Sequence, residues 1–476
     1  MNTCVPELSE GIIDEIEQDA KEWALSKGLC MRSNESFHED HVQVLKFCLF
    51  PSPFPAPWYS LAVTIQKSIN LMIHRVAHDN QFLAEAYKDI ITIDEFSRNL
   101  YNIHLKVLRD PKAQNTCLGH FRSDYMLNQD PEILRQIEVN TVAASFAGQS
   151  TLLNQLHNYL SRKFSSMRIS EKASHTSESL RGLALGLVEA WEHYGDGNAI
   201  ILFVVSDKET NLCDQKVVEM EIMSIQSRAV VKRRKLNSLD EHITLDEDNI
   251  LRLDDQEVAV VYYRTAYVPQ NYGSQSAWDA RLKLERSRAI KCPPIKYQLA
   301  GAKKIQQLLT KKDILKRYVT TSEGFDEIYS TFGAIYSLSR DEEGDRTIDM
   351  ALKSPDKYVL KPQREGGGNN FFGEDLTDKL LQIKNSEERN GYVLMELVKP
   401  AHILNHYIAS DKKLKERRYV KDEMSLELGI YGIILANEKK ILRNREAGSL
   451  LRSKVYTEKE SGITSGSGFI DDIFLY

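Results

Sequence analysis

The stretch Lys361-Pro362-Gln363-Arg364-Glu365-Gly366-Gly367-Gly368-Asn369-Asn370-Phe371-Phe372 decides how this chain is read. It follows Tyr358-Val359-Leu360, a short apolar run of the kind that ends a strand. Three adjacent glycines hold a regular element poorly, because glycine loses the most backbone entropy when ordered. What they offer is bare backbone N–H groups that can approach an anion closely. Lys361, Arg364, Asn369 and Asn370 surround that backbone with further donors. Glu365 is an acid among phosphate-binding groups, which makes sense when a divalent cation lies between it and the phosphates. The segment has neither the spacing of a P-loop nor that of the dinucleotide fingerprint. Two readings remain: a flexible lid over ATP phosphates, or a solvent loop at a hairpin tip.

A second chemical centre lies between Arg122 and Gly148. Ile137-Glu138-Val139-Asn140 reads as a strand, so Glu138 and Asn140 share one face. Two oxygen donors at a spacing of two suit a magnesium ion bridging phosphates; they equally suit the polar face of an edge strand. Ala199 to Val205 is a continuous apolar run, hence a strand buried on both faces, and Val258 to Tyr263 is another. A helix-like segment from about Asp214 to Met223 separates them, which is the pattern of a parallel α/β unit.

Other blocks complete the set: Arg122-Ser123-Asp124-Tyr125-Met126, Glu138-Val139-Asn140-Thr141, Leu299-Ala300-Gly301 with Lys303-Lys304, Leu428-Gly429-Ile430-Tyr431-Gly432, and Leu450-Leu451-Arg452-Ser453-Lys454. In this order, and with the glycine-rich stretch, they resemble the eukaryotic glutathione synthetases, an ATP-grasp family. The resemblance runs from the first helix to near residue 468. It implies an α/β (α+β) chain: an ATP-grasp fold with an inserted parallel α/β substrate-binding domain and a glycine-rich lid. Residues 1–198 would form the N-terminal helical and sheet part of the core. Residues 199–301 would be the inserted domain. Residues 302–476 would complete core and lid, with the glycine-rich loop at about 361–374 and a small-residue loop at about 461–468.

The resemblance also implies roles. Glu138, Asn140 and Glu365 match the magnesium ligands. Glu138, Lys303, Lys361, Glu365, Gly366, Gly367, Gly368, Asn369, Asn370, Phe372, Met395, Glu396, Leu397, Val398, Glu427, Lys454 and Glu460 match the ATP site. Arg122, Ala143, Ala144, Ser145, Glu209, Asn211, Gln215, Arg264, Tyr267, Arg452, Ile463 and Thr464 match the peptide and acceptor site. Arg122, Lys361 and Arg452 match the catalytic set. The implied reaction joins γ-glutamylcysteine to glycine through an acyl phosphate, with ATP converted to ADP and phosphate, in a cytoplasmic homodimer. Three departures stand out. Ala143 replaces the first of two serines, Leu397 replaces a lysine, and Ser461, Ile463, Thr464 and Ser465 alter the closing loop. They leave β-alanine, serine or alanine as alternative acceptors, and a non-catalytic nucleotide- or thiol-peptide-binding paralogue as a reading of another class.

With 476 residues the chain can hold about two or three core-bearing units. A net charge of -6 gives no electrostatic case for nucleic acid or an anionic membrane. Six scattered cysteines with no C-x-x-C pair are neither a disulfide framework nor a zinc site, and read as reduced thiols. An acidic N-terminus argues against secretory and transit peptides. The longest clean apolar run has seven residues, far short of a bilayer span.

The remaining expectations are local. Ile12, Ile13, Ile16, Ala20, Trp23 and Ala24 mark a first amphipathic helix; Leu61, Ile65, Met72, Ile73 and Val76 mark a second. The alternating Pro51, Pro53, Pro55 and Pro57 read as a rigid connector on the surface. His38-Glu39-Asp40-His41 reads as a solvated loop, as does the basic run Lys232-Arg233-Arg234-Lys235. Residues 312–357 read as helical with a loop at Asp341–Asp345. Lys304 reads as solvent-facing, and Asp411 to Glu423 as an exposed connection.

Overall fold

A computed structural model describes residues 8–167, 177–364, 368–408, 419–464 and 466–476. Glu365, Gly366, Gly367, Ser465 and most of the segment 411–423 lie outside the described residues.

Three sheets organise the chain. The largest runs, strand by strand, through His402–Ile408, Phe47–Cys48, Gly468–Asp471, Lys440–Val455, Tyr419–Asn437, Cys117–Gln129 and Glu132–Asn140. His402–Ile408 pairs with Tyr419–Asn437 as well, so five of these strands close on themselves. The helix Ala56–His78 packs on this sheet with Ile65, Ile69, Met72, Ile73 and Val76 buried. The helix Glu10–Lys27 buries Ile13, Ile16, Ala20 and Ala24, and ends at Gly28 in the left-handed region (φ 79°), a conformation glycine adopts without strain.

The second sheet holds the parallel strands Val231–Lys235, Ile200–Val205, Gln256–Tyr263 and Ile290–Cys292. Two short antiparallel strands, Leu251–Leu253 and Ile243–Leu245, extend it. Ile200, Leu202 and Val204 join one hydrophobic cluster, while Ile201, Phe203 and Val205 join another. The strand is thus apolar throughout because both faces are covered. Helix Leu212–Ile225 lies between the first two strands in sequence, as the strand–helix–strand pattern requires.

The third sheet is antiparallel: Ile335–Ser337, Tyr392–Glu396, Tyr358–Pro362, Phe371–Phe372. It has its own small core, in which Tyr358, Leu360 and Leu394 meet Ile348, Ala351, Leu376 and Leu380. These last residues belong to the helices Glu342–Lys353 and Gly373–Ile383. Side chains alternate along a strand, so Val359, Lys361 and Met395 face the other way, into a cleft opposite the large sheet. Two sheets facing across a cleft, with a parallel α/β unit beside them, form the α/β ATP-grasp arrangement.

Four local expectations are corrected. The proline segment is buried from Pro51 to Pro55: Ser52–Phe54 pairs in parallel with Ile473–Leu475, and the Ala56 amide donates to the Tyr476 carbonyl. Prolines fit there because a short edge strand needs few amide donors. The basic run is not a loop but the edge strand Val231–Lys235, half-buried over most of its length. Residues 341–345 open a helix, since Asp341 caps Glu342–Lys353 by accepting from the Gly344 amide at 2.8 Å. Lys304 is half-buried, with Nζ donating to Ser337 Oγ at 3.2 Å. His38 to His41 is exposed, as expected.

Candidate active site

The cleft between the large sheet and the antiparallel lid measures about 660 Å³. Its floor is a ladder of charged residues made by strand register. Arg122 stands opposite Asn140, Asp124 opposite Glu138, Asp124 also opposite Gly429, and Glu427 opposite Arg452. Ser425 stands opposite Lys454. Because residues two apart share a face, the pairs Arg122/Asp124, Glu138/Asn140 and Arg452/Lys454 all turn to one side. Gly429 is required at its place. A Cβ there would meet Arg122 Cδ at 2.8 Å and Asp124 Oδ1 at 3.0 Å.

Asp124 is fully buried at the centre of the floor. It accepts from Arg122 Nε (2.6 Å) and Nη2 (2.8 Å), from Asn140 Nδ2 (2.9 Å) and from Arg452 Nη2 (2.8 Å). Arg452 also donates to Glu427, and Glu427 accepts from the Ser461 hydroxyl. Glu138 Oε2 lies 2.7 Å from Lys303 Nζ. Burial alone would push the Glu138 carboxyl up, but Lys303 and Lys361 outweigh it and hold it well below the usual carboxylate range. Burial pushes the ammonium groups of Lys361 and Lys454 down. Lys454 Nζ donates to the carbonyls of Glu458 (2.7 Å) and Lys459 (2.9 Å).

At the lid, the Glu460 carboxylate accepts from the amides of Gly368 and, at 3.3 Å, Asn370. These amides are donors of the kind that suit an anion, and here a carboxylate takes them. Asn369, Phe372, Met395, Glu396, Leu397 and Val398 line the same cleft. The Glu396 amide is donated to Ala334 O (3.0 Å) and the Leu397 amide to Lys357 O (2.8 Å).

Ala143, Ala144 and Ser145 form a turn at the cleft's end. Ala143 (φ 51°) and Phe146 (φ 72°) are both left-handed, a conformation that must be held by neighbours. Two groups hold it. Asp214 accepts from the amides of Phe146 (3.0 Å), Gly148 (2.9 Å) and Gln149 (3.3 Å), capping the helix Ala147–Lys163. Arg264 donates to Ala144 O (3.1 Å) and Ser145 Oγ (2.8 Å).

Of the expected residues, Arg122, Asn140, Tyr267, Lys303, Lys361, Ile463 and Thr464 also line the cleft. Glu209, Asn211, Gln215 and Arg264 do not; they pack behind the turn. There, Glu209 Oε2, Asn211 Oδ1 and Arg264 Nε are buried without a hydrogen-bond partner. Arg233 Nη1 is in the same condition, and its Nη2 donates to Gln215 Oε1 at 2.6 Å. Sequence reasoning missed Arg233, Asp214 and Asp124. For Asp124 a signal existed: it stands two residues from Arg122 on a strand. For Arg233 the neighbouring charges masked it.

The donor set suits a hard cation. Glu138 is held ionised, and Asn140, which also lines the cleft, turns its amide hydrogens to Asp124 and the Arg122 carbonyl, leaving its Oδ1 as the acceptor available to a cation. Among the described residues no group of three or more His, Cys, Asp or Glu side chains could hold a metal. Any cation there would draw further ligands from beyond these two residues.

A family model described as eukaryotic glutathione synthase, ATP binding domain, matches residues 10–475. The glutathione synthetase of Xenopus laevis is 37% identical over 471 residues, covering 98% of this chain and 97% of that one. That of Homo sapiens is 37% identical over 465 residues, covering 97% and 96%. Among solved structures, a glutathione synthetase-like effector from Globodera pallida, in apo form, matches with a TM-score of 0.78 at 26% identity, over the whole of both chains.

Proposed function

The chain belongs to the eukaryotic glutathione synthase family, and on that premise we propose how its cleft joins γ-glutamylcysteine to glycine. It is an ATP-dependent ligase, a glutathione synthetase. A carboxylate is a poor electrophile because oxide is a poor leaving group. Transfer of the terminal phosphoryl group of ATP gives an acyl phosphate, and the glycine amine then displaces phosphate. Lys303, Lys361 and Lys454 supply positive charge along the phosphates, and Arg122 and Arg452 steady the charge at the reacting carboxyl. A magnesium ion held by Glu138, Asn140 and Glu365 would neutralise the phosphates.

ATP entry exchanges Glu460 for phosphate oxygens at the Gly368 and Asn370 amides. Adenine lies against Met395, read by Val398 and by carbonyl groups, since the amides of Glu396 and Leu397 are already engaged. The glutamyl end of the dipeptide lies against Ala143, Ala144, Ser145 and Tyr267, which line the cleft in front of Arg264. The lids exclude water that would hydrolyse the acyl phosphate. No thiol nucleophile is needed, and burial pushes the Cys30 thiol up to about 12 and raises Cys48, Cys117, Cys213 and Cys292. A homodimer belongs to the same proposal, as does the cytoplasm, for which the free cysteines among the described residues are the support. No helix among the described residues is long and apolar enough to cross a membrane.

One observation carries the reading: Arg122, Lys303 and Arg452, from three sequence regions, line a single cleft and converge on Glu138 and on Asp124 buried beneath it. The test is phosphate release from Mg-ATP and γ-glutamylcysteine with glycine, β-alanine, serine or alanine, with products weighed by mass spectrometry. Glutathione as the main product is expected. Preference for another amine would move specificity to Ile463 and Thr464, and no turnover with any acceptor would sink the ligase assignment.

A further inference from the structure

Phosphoryl transfer needs cations and a metal at this site; it does not need a buried carboxylate between two arginines. Yet Asp124 is there, fully buried, with both oxygens engaged. It reaches no part of the cleft surface, so what it does must run through the groups bonded to it.

The telling partner is Asn140. An amide presents a donor on one side and an acceptor on the other, and a carboxylate only accepts. Asn140 Nδ2 lies 2.9 Å from Asp124 Oδ2 and 3.5 Å from the Arg122 carbonyl, a second acceptor. Both contacts turn the NH₂ group inward, so the amide oxygen turns outward, beside Glu138. The same carboxylate fixes Arg122 by two bonds and Arg452 by one. We propose that Asp124 is a positioning residue. It locks Asn140 with its oxygen presented as a cation ligand and sets both arginines against the reacting carboxyl, joining the metal and peptide halves of the site. The proposal rests on the reading of Glu138 and Asn140 as magnesium ligands.

The alternative is that Asp124 merely neutralises two buried guanidinium groups. Asn140→Asp separates the two. A carboxylate is a better magnesium ligand than an amide oxygen, so with no orienting role for Asp124 this change keeps or raises the metal-dependent gain in nucleotide affinity. With the role proposed, two carboxylates face each other with no donor between them, and the ligand turns away. The gain is then expected to fall about 10-fold or more, as for other outer partners of metal ligands. The double change Asp124→Asn with Asn140→Asp restores a donor–acceptor pair with its polarity reversed, and most of the gain should return.

The measurement is calorimetric affinity of the full chain for a non-hydrolysable ATP analogue, with magnesium and with chelator, for wild type and both variants; melting curves check folding. A gain retained in Asn140→Asp overturns the proposal, as does a double variant no better than the single one. If wild-type affinity is itself independent of magnesium, the metal reading fails and the proposal with it. The Asn140→Asp comparison stands even if the double variant does not fold.

Discussion

Glu138→Gln removes one charge from the middle of a cationic cluster, and the structure gives its effects opposite signs. The carboxylate lies 2.7 Å from Lys303 Nζ, with Lys361 and Arg452 close enough to act on it. It is ionised at any working pH, so the change deletes a full charge. At 2.7 Å and an effective dielectric constant of about 20, the Coulomb attraction to Lys303 is about 6 kcal/mol. The glutamate side chain is 24% exposed and both ends lose hydration on pairing, so the net coupling is about 2 kcal/mol. The ligand-free variant of this 476-residue chain should therefore melt lower by about 2 °C. Meanwhile Lys303, Lys361 and Arg452 lose their internal anion, so ATP in chelator should bind about 5- to 30-fold tighter, the factor that 1–2 kcal/mol supplies. Turnover with magnesium should fall about 10²- to 10³-fold. The assays are thermal melting, calorimetry in chelator, and phosphate release. Metal-free ATP binding that stays the same or weakens would refute the view of Glu138 as the counter-charge of these cations.

Gly429→Ala should push Arg122 off Asp124 and cut kcat/KM about 10²-fold, as misplacement of a catalytic group by about 1 Å does; steady-state kinetics check it. Asp214→Ala should uncap Ala147–Lys163 at about 1–2 kcal/mol and raise KM for the dipeptide while KM for ATP stays put. His104 supplies a pH test. Burial, with Lys296 and His78 adding to it, pushes this imidazole down to about 4. The folded protein thus binds fewer protons than the unfolded chain, whose histidines titrate near 6.5. Stability from this group is complete above about pH 6.5 and is lost as pH falls toward 4, by about 3 kcal/mol in all. His104→Gln should flatten that acid limb in urea melts at pH 7 and pH 5; an unchanged slope would count against it.

The sequence carried the parts of the site that depend on period. Glu138/Asn140 and Arg452/Lys454 are two apart on strands, so each pair shares a face whatever the tertiary setting. The run from Ile200 to Val205 could only be a strand covered on both sides. What escaped depends on partners far away in the chain. Nothing near Pro51 announces that Ile473–Leu475 will pair beside it. The basic run looked solvated because of the acids that follow it, yet Arg233 turns inward to Gln215 because its strand pairs with Ile201–Val205. Asp124 was read as part of a motif rather than as a functional group. Its meaning depends on Arg452, 328 residues away, and on Asn140 arriving in register.

The acidic groups of the cleft also differ in how easily they could exchange partners. Asp124, Glu138 and Glu427 pair with cationic side chains, whereas Glu460 accepts from the amides of Gly368 and Asn370. These pairs are not equally easy to exchange. Gly368 is exposed and Glu460 half-buried, so water can stand in for either partner and the exchange there is cheap. Asp124 is wholly buried, and separating it from Arg122 would leave an uncompensated charge at a cost of about 3–5 kcal/mol. Of these acids, Glu460 is therefore the one that an incoming anion would displace at least cost. On the same argument, the Asp124 cluster is the part of the proposed site that would stay fixed. Fixed dipoles and charges of that kind lower a barrier because they need no reorganisation when the reaction occurs.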